Sequence, residues 1–313
     1  MSERKKKYIQ LCQENDIPIF SQYFWLDAVC GEENWDVILI EEQGNILASL
    51  PYYLNYIEGG FEIRKAPLTQ NNGVFFYYPS KIKYESKISF EHKVLDKVID
   101  EIEKLNISNF RQYFHYSFEN WLPFYWRGYT QSTRYTYIIE DTSNIEAIYK
   151  KFNGNIRTNI KKADSIVRVY DDLSYEDFYN LNRKTYGRQG LDIPYSFELF
   201  ERLYQNLDKN GLVKILTAKD EKENIHSAAL FAQDSDSVYY LMSGSDQEYR
   251  SSQSLTLLIY EGIKLASQHG KKFDFEGSMK KNIEKFFRQF GAVQVPYFDI
   301  SKVFNKRTGQ KND

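Results

Sequence analysis

Two carboxylates stand at alternate positions in Phe273-Asp274-Phe275-Glu276-Gly277-Ser278. Alternation along a strand sends Asp274 and Glu276 to one face and the phenylalanines to the other. An acidic pair at the carboxyl end of a strand in an α/β sheet can bind a substrate amine or accept its proton. The plainer use is a solvated strand end. That is the stronger reading for Asp274, while Glu276 stands evenly between the two. Further on, Arg288 can stabilise a carbonyl oxygen or a phosphate. It is always protonated and so cannot act as a base. Its plainer use is a cation at a helix end.

Other residues suit anions. Arg250-Ser251-Ser252-Gln253-Ser254-Leu255 falls between a strand and a helix. Backbone amides at a helix start hold phosphates, and serine is small enough to allow close approach. An ordinary serine-rich cap explains the same residues equally well. Arg157 and Lys161 are four apart on one helical face with Lys162 beside them. They can hold an anionic carrier such as tRNA, coenzyme A or a sugar nucleotide, although a solvated face is the usual meaning of such a run. Tyr239, Tyr240 and Ser243 lie on a strand expected to border a cleft. Because side chains alternate, only one of the tyrosines can face it. His92, His115, His226 and His269 have no credible Cys or Ser partner, and no Gly-x-Ser-x-Gly elbow occurs. A covalent nucleophile is therefore not expected.

The elements that must position these residues are legible in outline. Tyr239–Ser243 reads as a strand, 250–268 as an amphipathic helix, 273–275 as a strand, 282–292 as a helix leading to a last strand. Upstream of it, 145–152 and 156–163 read as helices, 166–170 as a strand, 175–186 and 197–207 as helices, and 212–219 with 225–232 as a hairpin. The amino-terminal half runs from a helix-like pattern at 20–29 through a hairpin at 35–56 to extended aromatic sequence at 61–78. A helix at 89–105 follows, striped by Val94, Leu95, Val98, Ile99, Ile102 and Leu105. A strand at 109–116, a short helix at 120–125 and a strand at 129–140 complete it. Asp141-Thr142-Ser143-Asn144 is a polar break with capping chemistry. It divides the chain into domains 1–142 and 143–304, with a polar tail at 305–313.

The halves echo each other. Asn120 precedes Phe124-Tyr125 and Arg127-Gly128-Tyr129; Asn282 precedes Phe286-Phe287, Arg288, Phe290 and Gly291. Duplication of one α/β unit is the economical account.

At these residues the sequence resembles the GNAT acyltransferase superfamily. Two such units in tandem resemble the Fem family, the aminoacyl transferases of peptidoglycan bridge synthesis, and their BioF-associated acetyltransferase-like relatives. Ile156-Arg157-Thr158-Asn159-Ile160-Lys161-Lys162-Ala163 resembles the basic segment that opens the second Fem unit. Thr185, Arg188 and Tyr195 resemble the Thr/Arg/Tyr pattern that follows, and Phe287-Arg288 the Fem Phe-Lys pair. The long helical arm of Fem enzymes has no room here. Phe287 stands where many GNAT enzymes carry a tyrosine acid. The superfamily's acyl-CoA loop is matched by Arg250 to Leu255 without its glycines.

The resemblance implies an α/β (α+β) fold of two tandem GNAT-like domains, each a mixed, mostly antiparallel sheet flanked by helices. The cleft would lie between them and the second would carry the chemistry. It implies direct transfer of an acyl group to an amine of a cell-envelope or polysaccharide precursor. The catalytic candidates are Arg288, Glu276 and Phe287. Arg250, Ser251, Ser252, Gln253, Ser254 and Asn282 would hold the donor. Arg157, Lys161, Thr185, Arg188, Tyr195, Tyr239, Tyr240 and Ser243 would hold the substrate. No cofactor is tightly bound; acyl-CoA is the co-substrate, with aminoacyl-tRNA the alternative. A non-catalytic carrier-binding protein is a further reading.

Composition narrows the classes. A net charge of −2 over 313 residues excludes a globally basic nucleic-acid binder but not a local basic patch, and no DNA partner is expected. Cys12 and Cys30 are too few for a disulfide scaffold and lack metal-ligand spacing. No apolar stretch approaches the ~18 residues of a membrane span. Met1 to Lys7 is not followed by a signal-type run. The expected location is the cytoplasm. The 26 Tyr and 22 Phe favour extensive sheet and an aromatic-lined groove.

Overall fold

The computed structural model describes residues 2–58, 60–79, 81–188 and 190–304. The expected polar tail at 305–313 lies outside them. The chain forms two compact units: Met1–Arg134 with Pro296–Asp313, and Tyr135–Val295. The sequence reading ends the first domain at Thr142 and leaves the last strand in the second. The compact units divide earlier, and the chain's end returns to the first because its last strand hydrogen-bonds there.

The first unit starts with α1 (Glu3–Glu14) and α2 (Tyr23–Cys30), followed by β1 (Trp35–Glu42), β2 (Asn45–Ile57), β3 (Gly60–Arg64) and β4 (Phe75–Phe76). Then come α3 (Tyr84–Lys104), β5 (Asn109–Tyr113), α4 (Leu122–Trp126) and the start of β6 (Thr130–Ile139). The expected helix at 20–29 is a short 3-10 turn at Ile19–Ser21 and then α2. Only β3 and β4 of the extended aromatic stretch are strands. Gly73 lies between them at φ +97, pressed so closely to Phe114 that a Cβ would meet its ring at 2.8 Å. Val94, Leu95, Val98, Ile99 and Ile102 are fully buried along α3, as the helical stripe requires.

The second unit continues through α5 (Ile145–Lys151), α6 (Gly154–Asp164), β7 (Arg168–Tyr170), α7 (Tyr175–Gly187), α8 (Phe197–Lys209), β8 (Val213–Lys219) and β9 (Ile225–Gln233). It ends with β10 (Ser237–Ser245), α9 (Ser254–Gln268), β11 (Lys272–Asp274), α10 (Lys281–Arg288) and the start of β12 (Val293–Val303).

Each unit is built on a mixed, mostly antiparallel sheet. In the first, β1, β2, β3, β5 and β12 follow one another, and only β3 and β5 run parallel. In the second the order is β6, β11, β10, β9, β8, β7, with β10 and β11 parallel. A helix crosses between the parallel strands in both: α3 in the first, α9 in the second. The tandem, GNAT-like α/β layout expected from the sequence is therefore present. The apolar face of α9 (Leu257, Leu258, Ile259, Ile263, Ala266) closes the second core against Phe231, Phe273, Phe275 and Phe290.

Candidate functional site

Strands β10 and β11 pair only from Ser237 to Tyr239. Beyond Tyr239 the two strands lead to different places. The extra residue Leu241 in β10 breaks the register with β9 between Tyr240 and Met242, a bulge that re-aims the side chains beyond it. β11 stops at Asp274, and Glu276 and Gly277 turn the chain with φ +57 and +66. A Cβ on Gly277 would stand 2.0 Å from the Tyr135 carbonyl oxygen, so only glycine fits there. A cavity of about 690 Å³ opens at this place, lined entirely by the second unit.

The cavity gathers many of the expected residues. Thr185, Arg188, Tyr240, Ser243, Arg250, Gln253, Ser254, Glu276, Asn282 and Phe287 all line it. Of the paired tyrosines, Tyr240 faces it. Tyr239 points elsewhere and donates to Asp234 Oδ2 at 2.8 Å. The hydroxyls of Tyr240 and Ser243 share a hydrogen bond of 2.5 Å. Burial pushes the Tyr240 phenol up to about 12, so it stays protonated and able to donate at neutral pH. Phe287 packs edge-on against Tyr240 and at a tilt against Phe275.

Arg250 is the cavity-lining cation of the loop between β10 and α9. The helix expected from Arg250 begins as a 3-10 turn, Arg250–Ser252, and α9 proper starts at Ser254. Between them Gln253 adopts the left-handed conformation at φ +62, the position where the superfamily's loop carries glycine. The turn that glycine would make is thus kept by a glutamine. The amides of Arg250, Ser252 and Gln253 donate to the carbonyls of Gln247, Tyr249 and Arg250, and that of Ser254 to Ser252 Oγ. A phosphate at this loop would consequently meet the Arg250 side chain and the positive end of α9 more than a cradle of open amides.

Three exposed cations line the cavity: Arg188 at the end of α7, Arg250, and Lys280 ahead of α10. None makes an ion pair among the described residues. Among the described residues Glu276 is the one lining carboxylate. The field there favours an anionic ligand.

Several expected residues stand outside the cavity lining. Arg157 donates through Nη1 to the carbonyls of Lys150 and Phe152 and so caps α5. Lys161 is exposed on α6. The Arg288 Nε donates to Glu284 Oε1 at 2.9 Å, one turn back on α10. Ser251 is exposed, and Ser252 is buried with its hydroxyl on the Tyr249 carbonyl. Tyr195 donates to Asn182 Oδ1 at 2.5 Å, acting one layer behind the lining.

Asp274 departs most from expectation. It is fully buried rather than solvated. The strand is not an edge here: β6 and β10 flank it on either side. Oδ1 accepts from Thr136 Oγ1 at 2.5 Å and from the Glu276 amide at 2.7 Å, while Oδ2 has no partner among the described residues. Burial pushes its carboxyl up to about 7, against the pull of these two donors.

Sequence reasoning missed Asn182, His226 and Lys280 as lining residues. Asn182 is buried on α7 and donates to the Ser243 carbonyl at 2.5 Å. With Thr185, whose hydroxyl takes the Ser245 amide at 2.9 Å, it fixes α7 to the end of β10. A polar residue on the apolar stripe Phe178, Leu181, Asn182, Thr185 was the available signal. His226 is stacked flat on Tyr249 at 4.3 Å, with Nε2 3.3 Å from Asp220 Oδ2. Nothing in a lone histidine at a strand start announces this.

Residues 150–285 match the family model described as an acetyltransferase (GNAT) domain. No curated protein matches. Among solved structures, the chain is similar to FemX with a TM-score of 0.71 and 12% identity, over 95% of this chain and 96% of that one. It is similar to a tandem GNAT protein from the clavulanic acid biosynthesis pathway (TM-score 0.53, 9% identity, 96% and 95% covered). It is also similar to the C-terminal domain of a putative lysylphosphatidylglycerol synthetase from Agrobacterium fabrum (TM-score 0.54, 9% identity, 88% and 86% covered). At these identities the likeness is one of fold. Among the described residues, no helix is long and apolar enough to cross a membrane.

Proposed function

We propose that this chain, a Fem-type, GNAT-like protein in fold, is an N-acyltransferase that moves an acyl group from acyl-CoA to an amine. The observation that carries the reading is the cavity at the parting of β10 and β11. Among the described residues it joins three cations without an ion pair to a single carboxylate and a half-buried hydroxyl pair, largely within the segment that matches the acetyltransferase domain.

The roles follow from the chemistry. Arg250 and the start of α9 hold the donor's diphosphate, and Gln253 supplies the turn that lets it approach. Asn282 stands with them on the donor side. Arg188 and Lys280 attract an anionic acceptor. Glu276 holds the acceptor amine and takes its proton as nitrogen bonds to the carbonyl carbon. The carbon–sulfur bond then breaks, and the departing thiolate receives the proton of Tyr240, whose phenol is protonated at neutral pH. A later proton transfer from Glu276 to Tyr240 resets both groups. Phe287 cannot donate a proton, and here it walls the cavity beside Tyr240. Positioning supplies much of the rate in such direct transfers. The resemblance to Fem enzymes makes a cell-envelope or polysaccharide precursor the proposed acceptor.

Calorimetric titration with coenzyme A and acetyl-coenzyme A at moderate salt tests the donor. Micromolar binding that Arg250→Gln weakens supports the reading. Ser252 is unsuitable for this control, because its buried hydroxyl is part of the turn. Silence with both ligands defeats it. The glutamine at the glycine position favours one second reading, a Fem-type transferase whose donor is aminoacyl-tRNA. That reading predicts tRNA binding with steep salt dependence.

A further inference from the structure

The cavity of the second unit has an apolar side that the transfer chemistry leaves unused. It is built around α10. Ile283, Phe286 and Phe287 are three and four residues apart and so share one face of that helix, while Lys281, Lys285 and Arg288 are exposed on the other. Phe287 is buried, with its ring centroid 5.9 Å from Tyr240 and 5.0 Å from Phe275. The Phe286 ring stands beside it at 6.2 Å. The rings thus continue from the Tyr240 hydroxyl end of the cavity through Phe287 to Phe286. All five of these side chains line the cavity. Ile283 and Phe286 are only half-buried against the core, so each leaves apolar surface uncovered inside a concavity. Such surface is stabilised when an apolar group of a ligand covers it.

Charge points the same way. Arg188, Arg250 and Lys280 line the cavity without an ion pair among the described residues, and Glu276 is the one lining carboxylate among them. A donor whose acyl group ends in an ammonium would be repelled by three cations and would compete with the acceptor amine for Glu276. An acetyl group would leave most of the apolar wall wet. An uncharged chain of several carbons meets neither penalty.

We propose that the group transferred is an uncharged, apolar acyl chain longer than acetyl, seated along the Ile283–Phe287 face of α10. The proposal rests on the acyl-transfer reading. That reading brings the carbonyl to Tyr240, and the wall then selects the chain that follows it.

The test is calorimetric titration of the full chain with coenzyme A and with its acetyl, butanoyl, hexanoyl and octanoyl thioesters. Binding should tighten about twofold to fourfold for each methylene that the wall covers, so octanoyl-coenzyme A should bind at least about tenfold tighter than acetyl-coenzyme A. Ile283→Asn and Phe286→Asn should each flatten this gain while leaving coenzyme A itself bound as in wild type. Unchanged thermal unfolding separates loss of the wall from loss of the fold; if one variant unfolds, the other carries the comparison. The free carboxylates acetate to octanoate, followed by ligand-observed NMR, read the wall without a nucleotide. Among them 6-aminohexanoate, which ends the hexanoate chain in an ammonium, should bind more weakly than hexanoate. Coenzyme A binding with no gain from acetyl to octanoyl overturns the proposal and leaves the donor reading standing. Silence with coenzyme A, together with carboxylate binding that grows with chain length, defeats the donor reading and keeps the apolar subsite. Silence throughout overturns both. A gain that both asparagine variants leave unchanged overturns the assignment to α10, and 6-aminohexanoate binding as tightly as hexanoate overturns the requirement for an uncharged chain.

Discussion

Asp274→Asn should remove a large pH dependence from the stability of the second unit. The wild-type carboxyl is fully buried and pushed up to about 7, against 3.8 for an ordinary aspartate. Between these values the folded chain holds a proton that the unfolded chain has released. Stability from this group is therefore complete below pH ~4 and is lost as pH rises to ~7, because the ionised carboxylate must then be buried. At ~1.4 kcal/mol per unit, the shift of about three units amounts to roughly 4 kcal/mol over the whole window, and to about 3 kcal/mol between pH 5 and pH 8. Asparagine keeps an Oδ1 to accept from Thr136 and the Glu276 amide, and it has no charge to bury. Its amide stands where Oδ2 has no partner among the described residues, so the variant starts weaker by about 1–3 kcal/mol at low pH. Urea unfolding of both proteins at pH 5 and pH 8 gives a double difference from which other titrating groups cancel. The variant should gain about 3 kcal/mol on the wild type across that interval. A double difference within ~0.5 kcal/mol of zero would refute the claim that Asp274 is buried with a raised pKa.

Three further outcomes are expected. Gly277→Ala combines a left-handed backbone with a Cβ 2.0 Å from the Tyr135 oxygen, and should cost roughly 3 kcal/mol by urea unfolding; a loss under 1 kcal/mol would mean the turn is not held as described. Gln253→Gly relieves a left-handed side chain and clears the approach to α9, so coenzyme A should bind severalfold tighter; weaker binding would show that the glutamine side chain contributes to the site. Arg288→Ala breaks an exposed ion pair one turn apart, so it should change stability by less than about 0.5 kcal/mol and lower transfer far less than Glu276→Gln does; the reverse order in initial-rate assays would return Arg288 to the chemistry.

Local pattern alone decides some of this protein. The stripe of α3 follows from helical periodicity, and the buried side chains lie where that period puts them. The repeated strand–helix–strand order was legible because polar breaks and period changes mark element ends. Chemistry-bearing types at Glu276, Arg250 and the Tyr239–Tyr240 pair stood out as candidates because strand and helix ends in an α/β chain face a common rim, while which tyrosine faces the cavity was left to the fold.

What lay beyond the sequence depended on neighbours distant in the chain. Alternation put Asp274 and Glu276 on one face, but the strand stops at Asp274 and the turn at Gly277 separates them. Asp274 is buried because β6, more than a hundred residues earlier, packs beside it. Arg157 had the charge of a ligand anchor, yet the end of the preceding helix offers it two carbonyls. His226 carries no local mark at all, and Asn182 only that of a polar type on an apolar helical stripe. They join the cavity through contacts with Ser243 and Asp220, and such pairings exist only once the sheet has assembled. Residue type and period fix which groups are available and roughly where each element ends. Which groups keep their charge toward a ligand, and which spend it on the fold, is decided by what the folded chain places beside them.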